Sequence, residues 1–229
     1  MSADRGRAPG RRWRLAAFAA LALLLAAALA WWLLLRKEEP DYRGPPIQAP
    51  GGIVQERELV LMESRAGEDR HAFLRRVGQV LVDHAERTGH ESCGQVCQNV
   101  DSTAFAVQVV TNDAHVMCAM WTTCPAGYLP TGTNIHAHCP GRRVLRANAA
   151  DEALSGNRHR LGERLKPCDP HRFSNQDIAA GPGYLATPQR LLFQAGKGNP
   201  EDLGPLLPDA TGSLTLSAPA TYNSASLPQ

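Results

Sequence analysis

The spacing of apolar residues changes several times along the chain, and each change marks a boundary. Residues 15–35 (LAAFAALALLLAAALAWWLLL) are an unbroken apolar run with no polar face. As a helix, its 21 residues extend about 31 Å, the hydrocarbon thickness of a bilayer. Residues 69–88 place Phe73, Leu74, Val77, Val80, Leu81 and Ala85 at helical spacing, and Gly89 suits a helix stop. Glu56–Glu63 reads as a strand. After Gly89 the period shortens, which predicts strands at Cys93–Cys97, Ala104–Val110, Val116–Trp121 and Thr133–His138. Phe105, Val107 and Val109 alternate as in a half-buried strand, and Asn112-Asp113 suits a turn. Residues 139–173 have little periodicity beyond a helical turn at Ala149–Leu154. Ser174–Ala180 starts a short helix. Gly183–Thr187 and Arg190–Gln194 read as a closing hairpin about Pro188-Gln189. One helix followed by strands and a later helix start predicts an α+β fold. Residues 37–54 hold four prolines and three glycines, so 36–55 reads as a linker, and 196–229 as an irregular Pro/Ser-rich tail.

Charge and cysteine content place this pattern in a compartment. The net charge of +2 conceals an asymmetry: residues 1–36 hold six of the 24 basic residues, leaving 18 basic against 21 acidic ones beyond. A nucleic-acid-binding domain is not expected from that balance. The arginines at 5, 7, 11, 12 and 14 make 1–14 a basic tail. By the positive-inside tendency they keep the N-terminus cytoplasmic and send the rest outward. Residues 15–35 then form a single-pass transmembrane anchor, with Trp31 and Trp32 near its outer interface. The alternative is a cleaved signal peptide ending at Ala28-Leu29-Ala30, although the apolar run continues past it. All six cysteines (93, 97, 118, 124, 139 and 168) follow the anchor. An even count in an exported segment favours disulfides over a structural zinc site, for which no CxxC pair exists.

Three short segments carry candidate chemistry. His136 and His138 are two apart on a predicted strand and so share a face, where two neutral imidazoles can ligate one metal ion. Such a pair alone is a weak signal. In Phe173-Ser174-Asn175-Gln176-Asp177, Ser174 suits an N-cap and Asp177 the first helical turn. The same geometry can aim Asp177 at a metal ion as third ligand and leave the Ser174 hydroxyl for a developing oxyanion. Glu91, in Glu91-Ser92-Cys93-Gly94, follows the long helix. An open coordination position lowers the pKa of a water to ~7, and a carboxylate over the histidine pair can take its proton.

In the order ESCGQV, TNIHAHCP, FSNQDIAAGPGYLATPQRLLF, residues 69–194 resemble the JAB/MPN (JAMM-motif) zinc metalloproteases, most of all their bacterial branch. The resemblance implies a cytidine-deaminase-like mixed sheet with flanking helices over 56–195, preceded by the transmembrane helix. It implies His136, His138 and Asp177 as Zn2+ ligands, Glu91 as general base and Ser174 as the oxyanion-stabilising serine. Two features depart from the family. Thirty-five residues (139–173) separate the histidine pair from Ser174 where the family has a short link, and Cys139 follows the pair. Cys139 and Cys168 bracket most of this insertion, and we expect them to pair, holding its ends together; two further bridges among the other four cysteines remain open as to partner.

The implied function is a zinc-dependent peptidase or isopeptidase in the inner membrane, with its C-terminal domain in the periplasm. Its expected partners are the membrane and a peptide or cell-wall-derived substrate. The alternatives are a catalytically inactive JAB/MPN-like scaffold of the envelope and an exported toxin-type domain.

Overall fold

The computed structural model describes residues 44–208 except Lys197, and a few helical positions between 21 and 31. The expected anchor as a span, the basic tail and the segment beyond 208 lie outside the described residues. Among the described residues no helix is long and apolar enough to cross a membrane. Two strands come first, β1 (Pro46–Ala49) and β2 (Gly52–Gln55), paired antiparallel as a separate two-stranded sheet. The described part of the stretch read as a linker is therefore a hairpin over 46–55, with Pro50-Gly51 supplying its turn.

The longest helix, α1 (Arg70–Thr88), starts where Asp69 accepts hydrogen bonds from the N–H groups of His71 and Ala72. It ends where Gly89 takes a left-handed φ of 83° and returns its N–H to Ala85. Its apolar stripe, Phe73, Leu74, Val77 and Leu81, is fully buried. It packs on Val96, Val107, Val109, Ile135 and Leu191 from one face of a seven-stranded sheet. Burying each such side chain contributes roughly 1.5–3 kcal/mol, which is why helical period alone locates this element.

The strands of that sheet are β3 (Arg57–Glu63), β4 (Ser92–Asn99), β5 (Phe105–Thr111), β6 (Tyr128–Ala137), β7 (Gly183–Ala186), β8 (Arg190–Gln194) and β9 (Glu201–Pro205). Their order is β3-β5-β4-β6-β7-β8-β9. Only β6 and β7 run parallel among these neighbours; every other pair is antiparallel. The architecture is thus α+β with a mixed sheet. Two shorter helices, α2 (Ala149–Leu154) and α3 (Asn175–Ala180), lie in the long crossover from β6 to β7. The sheet continues past residue 195: β9 adds an edge strand inside the segment read as tail.

Val116–Trp121 is not a strand. Its backbone N–H groups bond to side chains instead of a ladder: Val116 to Asp151, Ala119 to Asn112 and Trp121 to Glu56. Disulfides Cys93–Cys118 and Cys97–Cys124 lash this loop across β4. β5 also differs from the half-buried expectation. Six of its seven residues are buried, because α1 covers one face and the disulfide-held loop the other. Cys139 pairs with Cys168, so the insertion is closed at its base as expected, and no cysteine is free.

Cys139→Ser/Cys168→Ser, leaving the other two disulfides intact, should lower stability in denaturant by about 3–4 kcal/mol, the loop-entropy value for a bridge of this length. Unchanged unfolding midpoints would mean that the insertion is held by its packing alone.

Candidate metal centre

The site begins with strand register. Ser92 pairs with Ala137 and Cys93 with His136, which sets Glu91 opposite His138 and puts all three polar side chains on the face away from α1. Gly94 permits the close approach of β4 to β5. A Cβ there would lie 2.4 Å from Val107 Cγ1 and 2.8 Å from the Gln108 carbonyl oxygen. The glycine of the ESCG segment is thus required by sheet packing. β7 lies parallel to β6, with His136 beside Leu185, so the crossover leaves the end of β6 and must run back to the level of Asn134 before β7 begins. It delivers the N-terminus of α3 next to His138.

There Ser174 and Asp177 form a capping box. Ser174 Oγ accepts the Asp177 N–H at 3.2 Å, and the Ser174 N–H donates to Asp177 Oδ2 at 2.6 Å. The capping role and the site role of this segment coincide, because the box aims the carboxylate at the histidines. The Nε2 atoms of His136 and His138 are 3.3 Å apart. Asp177 Oδ1 is 3.4 Å from His136 Nε2, and Oδ2 is 3.2 Å from His138 Nε2. A tetrahedral ion with bonds of ~2.0–2.1 Å holds its donor atoms about 3.4 Å apart. The two nitrogens stand at that spacing, with one carboxylate oxygen facing each, and this group can hold a metal ion. His138 Nδ1 lies 3.0 Å from the Asp169 carbonyl. Donating to it fixes the tautomer that turns Nε2 toward Asp177. Asp169 follows Cys168, so the insertion's disulfide holds this carbonyl in place. That disulfide also removes Cys139 as a free thiolate beside the histidines.

The electrostatics follow from burial and closeness. Burial pushes the Glu91 carboxyl up to about 8; the His138 charge opposes this, Asp177 and Asp151 add to it, and the Cys139 N–H opposes it. Burial also disfavours a charge on His138, but the Asp177 hydrogen bond, Glu91 and the Asp169 carbonyl outweigh it and raise His138 to about 9. On His136 burial wins and the pKa falls. Burial would raise Asp177, yet hydrogen bonds from both imidazoles and the Ser174 N–H hold it far below the carboxylate range.

These groups line a cavity of about 610 Å3, large enough for a peptide side chain and its flanking backbone. All five residues expected from the sequence meet there: Glu91, His136, His138, Ser174 and Asp177. Sequence reasoning missed others. His115 lines the same cavity, its Nδ1 held 2.7 Å from Oδ2 of the fully buried Asp151. The one available signal was Asn148-x-x-Asp151, a second capping box like that of Ser174 and Asp177. Gln194 Nε2 donates to the Asp177 and Gly181 carbonyls and anchors α3 on β8. His171 is exposed and His159 half-buried, both within the 139–173 insertion. Set against family models, curated proteins and solved structures, the chain matches none.

His138 must lose a proton to ligate. Affinity for Zn2+ should therefore rise from pH 6 to pH 9, with net proton release in calorimetry across buffers of different ionisation heat. The ion-free chain should move the other way. The raised pKa of His138 stabilises fully below 6.5 and is lost as pH passes about 9. A pH-independent affinity would exclude His138 as a ligand.

Proposed function

We propose that this chain is a membrane-anchored, zinc-dependent hydrolase of amide bonds, of the JAB/MPN kind, acting in the periplasm on peptide or cell-wall-derived substrates. One observation carries the reading: two imidazole nitrogens stand 3.3 Å apart, each within 3.4 Å of an oxygen of one carboxylate from a separate segment, with a buried glutamate at their side. A donor set of two imidazoles and one carboxylate suits zinc, and three protein ligands leave a position open. A zinc ion in it would supply Lewis acidity toward a water and the scissile carbonyl.

The chain's own residues do the rest. His136, His138 and Asp177 hold the ion. Glu91, ionised when the ion's charge is near, accepts a proton from the attacking water and returns it to the leaving amine nitrogen. A proton affinity raised toward the working pH suits a group that must first take a proton and then give it up. Ser174 spends its oxygen lone pair on the Asp177 N–H and keeps its hydroxyl proton for the carbonyl oxygen. The three disulfides support an oxidising compartment. An inactive scaffold on this fold takes its motives from Cys139 and the long insertion, the two departures from the family pattern. The bonding of Cys139 to Cys168, and of His138 to the insertion's Asp169, weakens both motives.

Metal-stripped protein reconstituted with Zn2+ and incubated with peptides and cell-wall fragments tests this by mass spectrometry of the products. Glu91→Gln should keep its zinc and lose about 10²–10⁴-fold in rate, whereas Asp177→Asn should lose zinc. Zinc-loaded protein that cleaves no amide bond, or a Glu91→Gln variant of full activity, would refute the assignment. Ser174→Ala should lower kcat by about 10²–10³-fold with little change in KM if its hydroxyl serves the oxyanion. A loss of stability of about 1 kcal/mol alone would leave it only a cap.

A further inference from the structure

Where α1 ends, two imidazole nitrogens are buried with no hydrogen-bond partner among the described residues. His84, in the closing turns of the helix, is only 4% exposed, and its Nε2 has no hydrogen-bond partner among the described residues. His90 follows the Gly89 cap and likewise buries an Nδ1 without a hydrogen bond. That Nδ1 lies 3.3 Å from Asp113 Oδ1, at tetrahedral-edge distance but misdirected for a hydrogen bond. Asp113 follows β5 in a left-handed turn, at φ 54°. The three donor atoms lie within 4.8 Å of one another.

The geometry points to a second metal site, formed by His84, His90 and Asp113, that takes a borderline divalent transition ion such as Zn2+ and serves structure. One ion would satisfy both nitrogens at once. Two imidazoles and a carboxylate favour zinc-class ions over Ca2+ or Mg2+, which seek oxygen. Arg57 donates to both carboxylate oxygens of Asp113. It fixes the carboxylate in place as an outer partner. Its charge also repels a cation, so this is the weaker of the two sites. The site occupies a junction. Glu91 is next to His90, and its N–H donates to Ala114, which is next to Asp113, at 2.8 Å. An ion here would clamp the end of α1 to the turn after β5 and fix the segment that carries Glu91. The proposal does not rest on the hydrolase reading.

The test is Zn2+ stoichiometry on metal-stripped, tag-free full-length protein, by calorimetry and elemental analysis. Wild type should bind two ions, the second at least tenfold more weakly. His136→Ala/His138→Ala should retain one, and adding His90→Ala should abolish it. His90 is only half-buried and outside the helix; His84→Gln provides a second variant, with disulfide mapping as the check on folding. A wild type that binds one ion, lost entirely in His136→Ala/His138→Ala, overturns this site and leaves the first standing. A single ion that survives that double variant but not His90→Ala upholds this site and removes the first. An ion that persists through all the variants is bound elsewhere and overturns the proposal.

Discussion

Ser92 sits opposite Ala137 across β4 and β6, and that register brings Glu91 and His138 side by side on the face away from α1. A slip of one residue between these strands would turn either Glu91 or both histidines toward the helix, into the apolar layer around Leu81. Two features hold the register. The apolar residues Val96, Ile135 and Ala137 fit under α1. The Cys93 disulfide to Cys118 closes the opposite face beside His136. The same pairing that builds the core therefore places the polar cluster.

The second constraint is the direction of β7. Its parallel pairing with β6 requires a crossover, and the insertion lies within it. The insertion is not simply extra length. It is tied at its base by Cys139–Cys168, lends the Asp169 carbonyl to His138, and sends α2 to bury Asp151 against His115. Each contact fixes a side chain that lines the cavity, and the long connection thereby stiffens the site it spans.

Two carboxyl groups and two imidazoles packed together set the charge balance. Asp177 stays ionised because both rings and a backbone N–H bond to it, while Glu91 prefers its proton because burial surrounds it. Environments that separate two neighbouring carboxyl groups in this way are a mark of functional sites, and the proposed division between ligand and base rests on that separation.

Local pattern determined a good deal. The helical stripe of α1, its Asp69 and Gly89 ends, the shared face of His136 and His138, and the Ser174–Asp177 cap follow from periods and capping chemistry within a few residues. The role read for Glu91 comes from the family resemblance alone, which periods and caps do not supply. Tertiary structure alone decided the rest. Prolines and glycines at 46–55 read as a linker, yet they suit a tight hairpin whose partner strands are both short. β9 has little apolar signal because an edge strand buries little. Val116–Trp121 has a strand's composition but gives its N–H groups to distant side chains and two disulfides. Most telling are His115 with Asp151 and His84 with His90 and Asp113. Each group joins residues more than twenty positions apart, and a chain read in order carries no mark of which distant side chain will lie against which until the sheet has closed.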